Sequence, residues 1–266
     1  MFSKSHIHGF LAAALCAAAT PLSAHIEYTG RDFGGFTPGG ATNSVTISSN
    51  RISSNYGWAD GTDADFGDSH KLLPFRFTLL STGLVTLQIQ GTSFRSGVLN
   101  VAAMANPGFS IYRGLAHLPP LLGDHDTSGI SSAYNDATYG AGKWEGSFNA
   151  LGDWKIGNDY GNTFADLSSF TYFGNAADGS STNFGNAAGI NGDGLADSYV
   201  QGSFLLGPGD YSIFVGGADY YGVSTTTFGF NATLSVMAIP EPSTYALLSL
   251  GAMVLTAAYR RRMARG

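Results

Sequence analysis

The sequence predicts an all-β protein: an antiparallel β-sandwich or jelly-roll body, with a single C-terminal transmembrane helix and a cleaved N-terminal signal peptide. Three observations predict it. Through the interior, apolar and polar residues alternate at period two, and no long apolar repeat recurs at helical spacing. The alternating segments are short and bounded by Gly, Ser, Asn and Asp, the residues of tight turns. Uninterrupted apolar runs occur only near the two ends.

Residues 1–24 carry the zones of a secretory signal. Lys4, His6 and His8 precede the apolar run Phe10 to Ala19, and Thr20-Pro21-Leu22-Ser23-Ala24 supplies the small-residue zone, with cleavage expected after Ala24. The run is too short to span a bilayer. A lipoprotein reading of Cys16 fails because Leu15 precedes it where a small residue is required.

Residues 25–238 form the body, a length that suits one large β domain. It has no cysteine, since the chain's single one is Cys16, so its stability in an oxidising compartment rests on a hydrophobic core rather than disulfides. Three Lys and five Arg stand against sixteen Asp and two Glu, which leaves ten surplus negative charges. A chain without a basic face cannot neutralise phosphates, so nucleic acid is excluded as a partner. The excess of Asp over Glu places the acids in turns rather than helices.

Strands are expected near 44–48, 73–80, 85–89, 109–112, 198–205, 211–216 and 226–237. The last sets Phe228, Phe230, Ala232, Leu234 and Val236 on one face and Gly229, Asn231, Thr233 and Ser235 on the other. Phe75, Phe77 and Leu79, then Val85, Leu87 and Ile89, flank Ser81-Thr82-Gly83, which reads as a hairpin with Gly83 in the left-handed turn position. Trp144 and Trp154 flank Phe148 and Leu151 in a candidate strand pair. Packing and carbohydrate stacking both fit those residue types.

Phe173-Gly174-Asn175-Ala176-Ala177 recurs as Phe184-Gly185-Asn186-Ala187-Ala188, an interval of eleven residues. Two copies fall short of the three or so that a solenoid needs, so the tract reads as a long surface loop with one hairpin, or as a small ligand platform. Leu206-Gly207-Pro208-Gly209-Asp210-Tyr211 is a turn feeding a strand. Upstream, Phe109-Ser110-Ile111-Tyr112-Arg113-Gly114 is a strand followed by the acidic loop Gly123-Asp124-His125-Asp126. The pair is similar to the β-sandwich of bacterial pre-peptidase C-terminal domains, over about a third of the body.

Chemistry-bearing motifs are few. Gly67-Asp68-Ser69-His70 is similar to the nucleophile turn of GDSL-type esterases, but no strand leads into it and no Asp-x-x-His pair follows near the end of the body. No zincin helix, Gly-x-Ser-x-Gly elbow or phosphate-cradling glycine loop is present. Asn191-Gly192-Asp193-Gly194-Leu195-Ala196-Asp197 sets oxygen donors at alternate positions around a glycine turn, as calcium loops do, and makes Asn191, Asp193 and Asp197 candidate calcium ligands. Gly189 and Val200 stand where two further acids belong. Asp60, Asp63, Asp65 and Asp68 form a second acidic cluster and Asp124 with Asp126 a third, and solvated Asp in turns is the alternative throughout. His125 beside those two acids is a candidate for a transition metal, and His70 and His117, with His25 at the new N-terminus, complete the histidines within the body. No cofactor other than calcium is expected.

The tail, residues 239–266, has three parts. Pro240-Glu241-Pro242 forms an extended hinge, because proline blocks helix continuation from the body. Ser243 to Tyr259 gives roughly 25 Å of helix, near the lower limit for a bilayer core of about 30 Å. Arg260, Arg261 and Arg262, with Arg265, hold the C-terminus on the cytoplasmic side. Hinge, apolar helix and basic end resemble the PEP-CTERM sorting signal of Gram-negative bacteria, also catalogued as an ice-binding-protein C-terminal domain.

The resemblance implies that an exosortase-type membrane protease recognises Pro240, Glu241 and Pro242, cuts nearby and passes the body to the cell surface or exopolysaccharide matrix. The expectation is thus a non-enzymatic surface or matrix protein associated with exopolysaccharide. A secreted hydrolase or a calcium-dependent carbohydrate-binding protein using Asp-rich loops is the alternative. Ice binding lacks a Thr-x-Thr ladder in the sequence, where Thr225-Thr226-Thr227 is the sole threonine run.

Overall fold

The structure, a computed structural model, describes residues 26–39, 41–59, 66–116, 129–142, 146–156, 163–184, 188–222, 224–239 and 242–263. In chain order the strands are β1 (Asp32–Phe36), β2 (Asn43–Ile52), β3 (Phe66–Asp68), β4 (Leu73–Leu79), β5 (Gly83–Gly91), β6 (Phe94–Ser96), β7 (Leu99–Ala103) and β8 (Pro107–Arg113). They continue with β9 (Ser147–Asn149), β10 (Trp154–Ile156), β11 (Ser168–Ala177), β12 (Tyr199–Leu206), β13 (Gly209–Gly217) and β14 (Phe228–Ala238). The helices are α1 (Gly129–Tyr139), α2 (Ser181–Phe184) and α3 (Pro242–Met263).

The all-β expectation holds for the body. One six-stranded sheet runs β1-β4-β13-β8-β11-β10, and a second runs β12-β5-β14-β7-β6 with β2 along the other edge of β14. A two-stranded ribbon pairs β3 with β9. Two pairings depart from the antiparallel expectation: β1 lies parallel to β4, and Phe228–Gly229 of β14 lies parallel to Ala102–Ala103 of β7.

Alternation explains the packing of the second sheet. Val85, Leu87 and Ile89 of β5 and Ala232, Leu234 and Val236 of β14 are buried, against Phe75, Phe77, Ile213 and Phe109 from the first sheet. The first sheet does not alternate in this way, because both of its faces are covered. On β13, Tyr211, Ile213 and Val215 enter the core shared with the second sheet, while Phe214 enters another core with Trp58, Tyr112, Phe148, Trp154 and Phe170.

That second core is aromatic and hydrogen-bonded. Trp58 Nε1 donates to Ser110 Oγ (2.8 Å), and Ser110 Oγ donates to Ala150 O (2.6 Å). Trp154 Nε1 donates to Ser147 O (2.8 Å), and the Tyr112 hydroxyl donates to Asn149 O. Each buried polar tip thus has a partner, which is the condition for placing Trp and Tyr in a core. Gly108 makes the layer close-fitting, since a Cβ there would stand 2.5 Å from Trp58 Cε3.

Several strand-level expectations are corrected. β4 and β5 do not form a hairpin, because they lie in opposite sheets and residues 80–82 arch across the sandwich. Gly83 is needed for close approach rather than a left-handed turn: its Cβ would lie 2.8 Å from Pro38 Cγ and 3.1 Å from Met237 O. Trp154 and Phe148 are not in one strand pair, since β10 pairs β11 and β9 pairs β3, and Trp144 lies outside the described residues. Trp154 is a packing residue, stacked on Phe170 at 5.1 Å.

The glycine-rich repeat is not one surface loop. Its first copy runs inside β11, bulged between Tyr172 and Gly174, while the second begins at Phe184, the last residue of α2. Phe184 is buried and Phe173 is exposed, so the two copies are not equivalent in space. The strands that carry the pre-peptidase resemblance, β8 and β13, are antiparallel neighbours. The Tyr211 hydroxyl donates to Gly207 O (2.7 Å), which pins the turn before β13 as a tyrosine corner does.

Candidate metal centre

β11 delivers the chain to a tight acidic loop. Asp178 follows Ala177, and its N–H donates to Pro107 O (2.8 Å), which ties the residue to the start of β8. The residue has 0% exposure. Its carboxylate accepts from the Asp197 N–H (3.0 Å) and the Ser198 N–H (2.7 Å). Ser198 sits at φ 64°, a left-handed conformation that costs a serine energy and that the second of these bonds helps to hold.

The opposing strand of the loop is held in register with it. The Asp193 N–H donates to Ala177 O (3.1 Å) and the Gly194 N–H to Gly179 O (2.9 Å). Asp193 Oδ1 accepts from the N–H groups of Gly179 and Leu195, each at 3.0 Å. Asp197 Oδ1 accepts from the Tyr199 N–H at 3.2 Å, at the entrance to β12. The result is three carboxylates, from Asp178, Asp193 and Asp197, each offering an oxygen within 4.8 Å of the others.

Like charges at this separation repel, and one of them is out of water. Burial raises the pKa of Asp178, and the charges of Asp193 and Asp197 add to the rise, against the two backbone N–H bonds that lower it. A cation between the three would relieve the repulsion. The donors are hard oxygens with no nitrogen or sulfur among them, which suits Ca²⁺ at about 2.3–2.6 Å and disfavours softer metals.

Of the three ligands expected from the sequence, the structure brings two together. The Asn191 N–H and Nδ2 donate to Asn175 Oδ1 (2.8 Å) and Asn175 O (3.2 Å). Asp178 joins the cluster from fifteen positions before Asp193. Its only local signal is the turn dipeptide Asp178-Gly179 at the end of a strand pattern.

The expectation that no strand leads into Gly67-Asp68-Ser69-His70 is corrected, since β3 (Phe66–Asp68) runs directly into the turn, which has a structural use. Asp68 caps a short 3₁₀ turn, accepting from the His70 N–H (2.9 Å), and pairs with His70 Nδ1 (3.0 Å) and Lys71 Nζ (2.6 Å). Burial opposes ionisation of Asp68, yet hydrogen bonds from His70 and Lys71 and the charge of Lys71 outweigh it and hold the carboxyl at about 2. Asp60, Asp63, Asp65, Asp124, Asp126, His117 and His125 lie outside the described residues, as do Ala24, Pro240 and Glu241.

At the C-terminus, β14 leaves the body at Ala238, and α3 begins at Pro242, a favourable first helical position for proline. The helix is 22 residues long and carries Arg260, Arg261 and Arg262, all exposed, in its last turn. Residues 238–262 match the PEP-CTERM protein-sorting motif. Such a motif implies export and processing by an exosortase membrane protein. Among the described residues, no helix is long and apolar enough to cross a membrane. In the sorting-motif helix, Ser243, Thr244, Ser249 and Thr256 dilute the apolar run before the arginines end it.

No curated protein matches the chain. Among solved structures, it is similar to CorA of Methylomicrobium album BG8, a surface-associated copper-binding protein (15% identity, TM-score 0.43, 77% of this chain and 98% of that one). It is also similar to MopE of Methylococcus capsulatus, a secreted copper-binding protein (16% identity, TM-score 0.38, 79% and 87%).

Proposed function

We propose that the chain is an exported, non-enzymatic protein of the cell surface or extracellular matrix, whose β body associates with exopolysaccharide after exosortase processing of its tail. The observation that carries this reading is the PEP-CTERM motif, which starts at the last residue of β14 with only three residues between the body and α3. In this reading α3, short of the apolarity of a stable span, holds the tail in the membrane only transiently with its arginines on the cytoplasmic side, and Pro240-Glu241-Pro242 is the strip presented to the protease. Intact-mass measurement on protein released to the surface should show a form lacking 246–266. Replacing Pro240 and Pro242 with Ala should leave the uncut form in the membrane fraction. Recovery of surface protein with its tail complete would refute the processing.

A second reading, calcium-dependent carbohydrate binding, is favoured by what lies beside the acidic triad. The Tyr220 N–H donates to Asn183 O (3.0 Å) on α2, and Asn183 Oδ1 accepts from the Ser180 N–H (2.9 Å), next to Gly179. Tyr220 and Tyr221 pack with ring centroids 4.7 Å apart, and Tyr221 is 67% exposed. Calcium held by Asp178, Asp193 and Asp197 would brace this loop next to an aromatic pair whose outer ring, Tyr221, is exposed. Calorimetry on the chelator-treated full chain tests the ion, and an absence of heat at millimolar calcium removes it.

A further inference from the structure

We propose that the outward face of the second sheet is the surface on which the body docks a neutral, hydroxyl-rich polysaccharide. This rests on the association reading above and adds where the polymer sits and which charge class it has.

The face is built from side chains that the sequence scatters across almost two hundred residues. Ser44 pairs with Ser235 (3.0 Å), Thr46 with Thr233 (2.9 Å), Thr86 with Ser203 (2.8 Å), and Gln88 donates to Gln201 (2.8 Å). The register Ser235↔Thr86 and Thr233↔Gln88 joins these pairs into two parallel rows across β2, β14, β5 and β12. A third row follows with Asn231, Gln90 and Tyr199. At the other end Met237, Leu84 and Leu205 form an apolar row. With strands about 4.8 Å apart and alternate residues nearly 7 Å apart, the four rows cover about 14 by 20 Å.

No charged side chain stands in these rows, although the body carries ten surplus negative charges. Charges stand only at the margin: Asp197 Oδ1 accepts from the Tyr199 N–H (3.2 Å) at the end of the third row, and Arg51 lies beyond the rows opposite Gly229 and donates to Ser96 Oγ (3.3 Å). Charge therefore selects the occupant. A polyuronate would meet repulsion from the body and no cation on this face, whereas a neutral glycan has no charge to desolvate. The side chains are also preorganised: each hydroxyl pair uses one donor and keeps acceptor capacity toward solvent, so little rotamer freedom remains to be lost on binding. Leu205 and Met237, exposed at 61% and 43%, and Tyr199 at the other end supply apolar contact for the C–H faces of sugar rings.

The test is affinity electrophoresis of the full chain in detergent micelles, in gels containing dextran, hydroxyethylcellulose, alginate or the producing cells' exopolysaccharide. Two variants are compared, Gln88→Glu/Gln201→Glu, which sets two like charges across β5 and β12, and Thr46→Val/Thr233→Val, which keeps strand propensity if the first does not fold. Retardation by a neutral glycan, weakened about tenfold in a folded variant, is the expected result. Binding to the exopolysaccharide that both variants retain would overturn this face and leave the association standing. Binding to alginate alone would overturn the neutral partner. Absence of binding to any of the four would overturn the association reading as well. Variant-sensitive self-association by light scattering, or variant-sensitive shaping of ice crystals, would give the face another occupant and overturn the proposal.

Discussion

Phe214→Ala tests whether the first sheet is covered on its second face by a packed layer. Phe214 is 1% exposed and meets four rings: Trp154 at 5.1 Å, Phe170 at 5.2 Å, Phe148 at 5.3 Å and Tyr112 at 5.6 Å. Truncating a fully buried phenylalanine costs about 3–5 kcal/mol, and two of the four ring partners, Tyr112 and Trp154, are pinned by their own hydrogen bonds and leave little room for collapse, which favours the upper half of that range. For a body of this size each kcal/mol moves the melting temperature by about 2–4 °C, so the expected fall is about 10–15 °C. Thermal melts followed by tryptophan fluorescence and near-ultraviolet circular dichroism suit the question, because Trp58 and Trp154 both belong to this layer. Phe173→Ala, at an exposed ring, should cost no more than about 0.5–1 kcal/mol and serves as the control. A fall of less than about 3 °C with an unchanged aromatic spectrum would show that the layer is not a packed core.

Three further outcomes follow from particular contacts. Because burial raises the pKa of Asp178, the metal-free protein should lose stability as pH rises from the ordinary carboxylate value of 3.8 through the folded-state value. Calcium at a hundredfold excess over its Kd should restore about 2–3 kcal/mol near neutral pH, an effect that Asp178→Asn abolishes and Asn191→Ala does not, as differential scanning calorimetry would show. Asp68 has the opposite sign: its stabilisation is present above pH 3.8 and is lost as pH falls toward about 2, worth about 1–2 kcal/mol after solvent screening. Acid titration of Asp68→Asn by circular dichroism should show that component missing. Tyr211→Phe removes the bond to Gly207 O and should cost about 1 kcal/mol in urea unfolding, and no change would refute the corner.

Features encoded at short range were legible along the chain. The alternation in Phe228 to Val236 and in Val85 to Ile89 marks strands with one buried face, because successive strand side chains point to opposite sides. The tail is legible for the same reason, since hinge, helix and arginines are contiguous. Period two cannot say which strands pair, so β4 and β5 read as a hairpin while the fold sets them in opposite sheets. Nor does it reveal a strand buried on both faces: β8 and β13 look ordinary until the aromatic layer of Trp58, Phe148 and Trp154 closes over them. The same limit hides Asp178. A loop motif scores neighbours along the chain, whereas the triad and the uncharged rows are assembled from strands far apart in sequence, where only tertiary packing fixes which side chains meet.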